Sequence, residues 1–387
     1  MKRINSIDIV RGVVMIIMAL DHVRDLIHVD SIAQSPTNLA TTTPFLFFTR
    51  WITHLCAPTF VFLAGTSAYL ALKDADAATG RSFLIKRGLW LILLEFTLVT
   101  FALWFDPGFH TLIFQVIAAI GFGFIALGLL RGLGPKTLGI LGLIIVFGHN
   151  LTALIPFAED SIARTVLTPF FGPAAFPLGA GRTFVMGYSP IPWLGVMLVG
   201  YAAGKLFELD PAARRRRLLA LGGGALALFV VLRLVNVYGD PVPWAPQADA
   251  VYTFLSFMNV TKYAPSLLFC LVTLGVMFLM LAAAEGAKNR ATDVAEIYGR
   301  VPLFYFLAHL YLIHLILLIV LFLQGFPASS LEFAGGTFGR PKDAVSGLPL
   351  WQIYALWVGV VAALYVPCRL YGEYKRRHRE KTWLRYL

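Results

Sequence analysis

The chain has 387 residues, of which 58% are hydrophobic and only 14% are charged. Soluble domains carry roughly 25% charged residues, and the mean hydropathy of +0.75 also excludes a soluble domain. A net charge of +11 would indicate nucleic-acid binding in a soluble protein. Here the basic residues fall in short segments between apolar stretches, where they set topology, so we expect an integral membrane protein without a nucleic-acid partner.

Apolar segments close to the ~20 residues that cross a bilayer recur along the chain, without the alternating pattern of a barrel. They predict an all-α fold, a polytopic transmembrane helical bundle of about ten spans that forms a single domain over residues 1–387. Most of the 32 Lys and Arg residues then fall on one side, so both termini are predicted to be cytoplasmic. The spans are expected at about 8–29, 44–72, 84–104, 110–130, 137–156, 191–207, 218–237, 264–284, 302–324 and 350–372.

Three long connections, at 157–190, 238–263 and 325–349, fall on the predicted outer side and are rich in aromatic residues, Pro and Gly. Long ordered loops frequently bind ligands, whereas disordered linkers are usually poor in aromatic residues. The functional site is therefore expected to face outward.

The end of the first span, residues 20–28, carries five ionisable side chains in an otherwise apolar helix. Each intramembrane charge costs about 2.5–3.5 kcal/mol on insertion scales, so these groups are expected to face a buried, water-accessible pocket. The helical spacing puts Asp21, Asp25 and His28 on one face, with Arg24 one turn from His28. An internally paired structural cluster is the alternative interpretation.

Polar side chains of several other segments fall on the same predicted side of the membrane. Arg50 and His54 are four residues apart and share a helix face, and Asp21 or Asp25 would hold an imidazole in the tautomer needed for proton abstraction. This convergence predicts an extracytoplasmic polar cavity. The other members of the set are His22, His110, Gln115, His149, Asn150, Arg233, Asn236, Asn259 and Lys262.

Three further polar residues lie inside predicted spans. Glu95 needs a partner, and a hydrogen bond to a neighbouring helix is an adequate explanation of its presence. His309 and His314 are five residues apart, about 140° around a helix, so they do not form a metal-binding pair. We assign them structural hydrogen bonds, and we predict no metal site because no His, Cys or carboxylate set has ligand spacing.

A second candidate site lies at the predicted cytoplasmic ends of two spans. Arg11 follows Asp8 by three residues at the start of the first span, and Lys86 and Arg87 begin the third. These basic side chains are candidates to bind the phosphates of a nucleotide-type donor. Topology alone also explains basic residues here, and Asp8 is a natural partner of Arg11.

Six stretches together resemble the bacterial members of the heparan-α-glucosaminide N-acetyltransferase family of transmembrane acyltransferases. The resemblance implies transfer of an acetyl group from cytoplasmic acetyl-CoA to a sugar amine across the membrane by an embedded His. It also implies the bacterial plasma (inner) membrane, a glycan or amino-sugar acceptor and a homodimer. The stretches run from Arg3 to His22, from Arg50 to Gly65, from Gln115 to Gly121, from Pro192 to Tyr201, from Asn259 to Tyr263, and from Gly299 to His314.

One departure from the family affects the choice of catalytic residue. The animal enzymes have Asn where this chain has Asp21, and the position that matches their catalytic His falls near Pro44. We therefore choose the His on physical grounds and name His54 first, as general base or acyl carrier, with His22 and His28 as substitutes. The supporting roles are predicted as follows: Asp21 orients the His, Arg50 and Arg24 stabilise the oxyanion, and Asp25, Gln115, Asn259 and Lys262 bind the acceptor.

The leading hypothesis is thus a membrane acyltransferase that acetylates an amine or hydroxyl of an extracytoplasmic glycan. Two alternatives remain open at the level of the sequence. A proton-coupled transporter or flippase for an envelope precursor would use Asp21, Asp25 and the histidines as a proton relay. A structural membrane protein would instead use them as an internally satisfied polar core.

Overall fold

The computed structural model describes residues 4–155, 161–334, 336–378 and 380–385, and it is mostly helical. The helices are α1 (Asn5–Ile27), α2 (Pro44–Thr53), α3 (Cys56–Leu72), α4 (Ala77–Leu94), α5 (Thr100–Trp104), α6 (Val116–Leu130), α7 (Gly134–Gly148), α8 (Ile162–Phe171), α9 (Pro190–Ala203), α10 (Pro211–Val235), α11 (Ala250–Met258), α12 (Leu267–Ala284), α13 (Arg290–Gly299), α14 (Pro302–Leu323) and α15 (Leu350–Arg377). The strands are β1 (Thr111–Phe114), β2 (Ala174–Gly179) and β3 (Arg182–Met186).

Helices long and apolar enough to cross a membrane dominate the described residues, which confirms the predicted polytopic helical bundle. Eight such stretches are found, and the longest, Val116–Thr152, contains two of the predicted spans. Gly134 separates those two spans, because its φ of 77° and ψ of 159° interrupt the helix. α1 is not among the eight, since it carries five acidic and basic residues. The count of ten spans and the cytoplasmic ends remain predictions.

Several predicted spans differ in detail from the helices of the structure. The second span is divided at His54 and Leu55 into α2 and α3. The third begins seven residues earlier than predicted, at Ala77, and contains a π-helical turn at Glu95–Val99. Short helices also occur where the sequence predicted only connections, namely α8, α11 and α13.

A three-stranded sheet in the order β1-β3-β2 is the one element type that the all-α prediction did not include. β1 pairs with β3 in parallel, with Leu112 opposite Phe184, and β2 pairs with β3 in antiparallel fashion, with Phe176 opposite Phe184. The prediction that a helix begins at residue 110 is therefore wrong, because residues 111–114 form β1 and the helix begins at Val116. Part of the aromatic loop at 157–190 folds into this sheet.

α1 lies inside the bundle, where other helices shield its charges from lipid. Its buried residues lie all around the helix and include Asp8, Asp21 and Arg24. α10 and α15 are peripheral by contrast, since only 22% of the most apolar 18-residue segment of each helix is buried. The helices packed against α1 are α2, α3, α12, α13, α14 and α15. This central position explains why α1 tolerates charges that a lipid-facing helix would not.

Close packing of α1 against α13 depends on Gly12. A Cβ atom built on Gly12 would lie 1.7 Å from the carbonyl oxygen of Ala295. We therefore expect Gly12→Ala to push the two helices apart and to destabilise the protein by about 1–3 kcal/mol, as overpacking typically does. Thermal unfolding of the detergent-purified protein would measure the loss.

Gly359 in α15 provides the matched control. Apart from its chain neighbours and the backbone of its own helix turns, no heavy atom of the described residues lies within 4 Å of a Cβ built there. Gly359→Ala is expected to leave stability unchanged or to raise it by up to about 1 kcal/mol through helix propensity. Equal unfolding temperatures for the two variants would contradict the close packing at Gly12.

Candidate active site

Asp21 is the centre of a buried charged cluster that joins α1 to α2. Its Oδ1 accepts hydrogen bonds from Nη2 of Arg24 at 2.6 Å and from Oγ1 of Thr53 at 2.8 Å. Nη1 of Arg50 donates to both carboxylate oxygens, at 2.8 and 2.7 Å. The end of the first span and Arg50 are therefore in contact, as predicted. Charge-assisted hydrogen bonds of this kind are strong and hold α1 and α2 together.

The cluster extends to the surface through Arg24. Its Nη2 also donates to Asp25 at 2.6 Å, and the side chain of Asp25 is 44% exposed while that of Arg24 is 2% exposed. His54 follows α2 and is buried, and its Nδ1 has no hydrogen-bond partner among the described residues. Its ring packs edge-on against Phe269 at 5.3 Å between centroids. Asp21 accepts hydrogen bonds from Arg24, Arg50 and Thr53. These contacts would orient Arg50, whereas the prediction was that Asp21 orients an imidazole.

A pair of imidazoles connects α1 to α14 one residue beyond Asp21. Nδ1 of His22 and Nε2 of His309 lie 2.6 Å apart, and the rings stack at 4.8 Å between centroids. Nδ1 of His309 donates to the carbonyl oxygen of Tyr305 at 2.9 Å. His309 is completely buried, whereas His22 is half-buried. The backbone bond of His309 agrees with its predicted structural role, but the contact with His22 was not predicted.

A cavity of about 320 Å³ lies between α1, α3, α4, α6 and α14. Three polar side chains line one end: Arg11, Ser67 and Arg87, with Nη2 of Arg11 donating to Oγ of Ser67 at 2.9 Å. The structure thus brings Arg11 and Arg87 together, as a shared donor site requires. Lys86 is exposed and does not line the cavity. The remaining walls are apolar and include Met15, Phe60, Ala64, Ala68, Leu91, Ile117, Ile120, Phe124, Leu303 and Phe306.

Phe306 links the other end of this cavity to the imidazole pair. Its ring lies 6.3 Å from that of His22 and 5.6 Å from that of His309. Along α1, Arg11 and His22 are separated by about 16 Å at the helical rise per residue. The cavity therefore extends from two arginines at the predicted cytoplasmic end toward the imidazoles beside the charged cluster.

Lys262 lies beside the same cluster, between two tyrosines that the sequence analysis did not select. It is buried, and its Nζ lies 5.7 Å from the ring centre of Tyr188 and 5.1 Å from that of Tyr263. Tyr188 packs against Trp193 at 5.0 Å between ring centres, and Trp193 lies 6.4 Å from Phe269, which packs against His54. The sequence signal that could have indicated this arrangement is the presence of aromatic residues next to cations in the long loops, such as Tyr263 after Lys262.

The other predicted acceptor-binding residues have structural contacts. Nδ2 of Asn259 donates to the carbonyl oxygen of Thr37 at 3.1 Å. Gln115 precedes α6, and its carbonyl oxygen accepts from the amide of Ala119. His28, which was predicted as a substitute base, ends α1, and its carbonyl oxygen accepts from Nη1 of Arg340 at 2.9 Å.

Glu95 has the interhelical hydrogen bond that its position within a span predicts. Its Oε2 accepts from the backbone amide of Ala118 at 2.8 Å, in the first turn of α6. Three of the outer polar residues are likewise bound to backbone groups: Arg233 donates to carbonyl oxygens around the end of α11, Asn150 accepts from Leu267, and His149 bonds to Ile145. These residues thus hold elements together.

The fold and site define a multi-pass helical membrane protein with a buried charged cluster and an imidazole pair beside an internal cavity. The family model described as heparan-alpha-glucosaminide N-acetyltransferase, catalytic, matches residues 3–233, which is more than half of the chain. The chain belongs to this family, so its function is of the membrane N-acetyltransferase type, and the predicted resemblance is confirmed. No curated protein matches the sequence. His22, His54 and Arg87 lie within the match, whereas His309 lies beyond it.

Proposed function

We propose that this protein transfers an acetyl group from cytoplasmic acetyl-CoA to an amine or hydroxyl of an extracytoplasmic glycan. The observation that carries the proposal is the cavity that leads from Arg11 and Arg87 to Phe306, whose ring lies 6.3 Å from that of His22. Acetyl-CoA has phosphates at one end and a reactive thioester at the end of a long arm. The phosphates match the arginines at one end of the cavity, and the arm matches its apolar walls.

The donor end is recognised by charge. Arginine binds phosphate through charge-assisted hydrogen bonds, and its planar guanidinium suits bidentate contacts. The arm would then extend along the apolar walls past Met15 and Leu91, where water is largely excluded. The thioester carbonyl would lie near Phe306, within reach of His22.

The chemistry needs a base on the acceptor side of the thioester. Nε2 of His22 takes the proton from the acceptor amine or hydroxyl, the acceptor attacks the carbonyl carbon, and the C–S bond breaks. The proton then passes to the thiolate of CoA. Arg50 and Lys262 supply positive charge for the oxyanion that forms during attack, and Asp21 holds Arg50 in place through two hydrogen bonds.

The contacts favour His22 over His54, the base that the sequence predicts first. His22 touches Phe306, which lines the cavity, whereas His54 packs against Phe269 and has a buried Nδ1 that no described residue contacts by a hydrogen bond. His54 keeps the role of a second candidate base. Tyr263 is 42% exposed and, with Lys262, offers an aromatic and cationic surface to the acceptor.

The test of the proposal is transfer by the purified protein. Labelled acetyl-CoA should be consumed when amino sugars or hydroxylated glycans are supplied, and the label should appear on the acceptor. Calorimetry that detects no acyl-CoA binding, together with no transfer to any amino sugar, would contradict the proposal.

Arg87→Gln is expected to weaken acetyl-CoA binding by about tenfold or more, because a hydrogen bond to a charged group contributes roughly 1.5–3 kcal/mol. Lys86→Gln removes the same charge one residue earlier, from an exposed side chain outside the cavity lining. It is expected to change the dissociation constant by less than about twofold, since exposed charges contribute little. Isothermal calorimetry on both variants measures the difference, and equal weakening would place the phosphates elsewhere.

A further inference from the structure

We infer that His309 is the positioning residue that fixes the tautomer of His22 and thereby makes Nε2 of His22 the base; this inference rests on the proposed function. The Tyr305 carbonyl oxygen only accepts hydrogen bonds, so Nδ1 of His309 must carry a proton and donate it. A neutral His309 then has a lone pair on Nε2. That atom lies 2.6 Å from Nδ1 of His22, so Nδ1 of His22 must be the donor.

The alternative arrangement would require a charged His309. Its side chain is completely buried, and among the described residues its hydrogen-bond partners are a backbone carbonyl and an imidazole, with no carboxylate. Burying an unpaired charge is far costlier than burying a neutral ring. With the neutral pair, the lone pair of His22 is on Nε2, the nitrogen that His309 does not contact.

The imidazole pair also stabilises the positive charge that forms on His22 during transfer. When Nε2 of His22 takes the acceptor proton, the positive charge is stabilised by the hydrogen bond from Nδ1 of His22 to Nε2 of His309. The proton on Nε2 is then released to the CoA thiolate, and His22 returns to its neutral tautomer, while His309 stays neutral throughout. No atom beyond acetyl-CoA and the acceptor is consumed.

Two other buried histidines show that a backbone bond alone does not create this arrangement. Nδ1 of His149 bonds to the carbonyl oxygen of Ile145 at 3.0 Å, and Nδ1 of His314 bonds to that of Ala102 at 3.2 Å. In both residues Nε2 is buried and makes no hydrogen bond to the described part of the chain. Of these three histidines, only His309 directs Nε2 at a second imidazole, and His149 provides a matched control.

The experiment combines kinetics with nitrogen NMR on the full-length protein labelled with ¹⁵N-histidine, with the His22 signals assigned through His22→Gln. In the unmodified protein, the shifts of His22 should report a proton on Nδ1 and none on Nε2. His309→Leu should give a mixture of tautomers and lower kcat by about tenfold to hundredfold with an unchanged KM for acetyl-CoA. His309→Gln, whose side-chain oxygen still accepts from Nδ1 of His22, should retain most of the activity and the single tautomer.

His149→Leu should leave both kcat and the His22 shifts unchanged. A proton on Nε2 of His22 in the unmodified protein would overturn the inference, as would unchanged His22 shifts in His309→Leu. The NMR measurement needs no turnover, so the tautomer is decided even if no acetyl transfer is detected. A correct tautomer without transfer would contradict the proposed function and leave the role of His309 in positioning His22 intact.

Discussion

His22→Gln is expected to lower kcat by about 10²–10⁴-fold, which is the usual contribution of a general base. Glutamine has no lone pair of suitable basicity at the position of Nε2, so the acceptor proton has no base to receive it. Acetyl-CoA should still bind with nearly unchanged affinity, because the proposed phosphate contacts, Arg11 and Arg87, lie at the opposite end of the cavity. Single-turnover assays with labelled donor, together with calorimetry, separate these two effects.

His54→Gln is the comparison for this experiment. His54 directly follows α2, the helix that carries Arg50, and its ring packs against Phe269. A smaller decrease in kcat than for His22→Gln is expected, together with some loss of stability. If His54→Gln abolishes transfer while His22→Gln remains active, the base is His54, as the sequence analysis proposed first.

Asp21→Asn is expected to have the largest effect on stability, about 3–5 kcal/mol, as when one partner of a buried ion pair is removed. The substitution removes the negative charge between Arg24 and Arg50, which lie within 2.7 Å of its carboxylate oxygens. The buried guanidinium of Arg24 and the partly buried one of Arg50 then remain, and among the described residues the carboxylate still paired with either is Asp25, which contacts Arg24. Thermal and denaturant unfolding in detergent would measure the loss.

Asp25→Asn is the matched control, because the same chemical change is made four residues later at a side chain that is 44% exposed. Asp25 is partly solvated and Arg24 keeps Asp21 as its buried partner, so a smaller change of about 0–1 kcal/mol is expected. Asp21→Asn combined with Arg50→Gln should recover part of the stability, since one unpaired charge is removed with its partner. Equal destabilisation by Asp21→Asn and Asp25→Asn would show that Asp21 is not the centre of the cluster.

Hydropathy predicted the helices well because lipid imposes a single requirement on each span. Apolar length and basic flanks fix where a helix crosses, so α12 and α14 begin and end within three residues of their predicted bounds. The strands were not predictable in this way. β1 has four residues, and its partner β3 lies about 70 residues later in the chain, so no local alternation indicates that pairing.

The site was predicted where spacing along one helix decides the geometry. Asp21 and Arg24, three residues apart, form an ion pair within the charged segment that the sequence singles out, and Arg50, predicted as a neighbour, joins them from α2. Contacts between helices could not be predicted, because the rotation of one helix against another is not encoded in either segment alone. The pairing of His22 with His309 and the different orientations of Lys86 and Arg87 are both consequences of such rotations.

The central position of α1 has a consequence for how the protein assembles in the membrane. Its five charged residues make it a poor membrane-inserting segment by itself. Four of the helices that enclose it, α12 to α15, lie in the last third of the chain and are synthesised much later. α1 is therefore synthesised before these four helices and reaches its final environment only after them, and until then its polar side chains depend on water or on the insertion machinery for solvation.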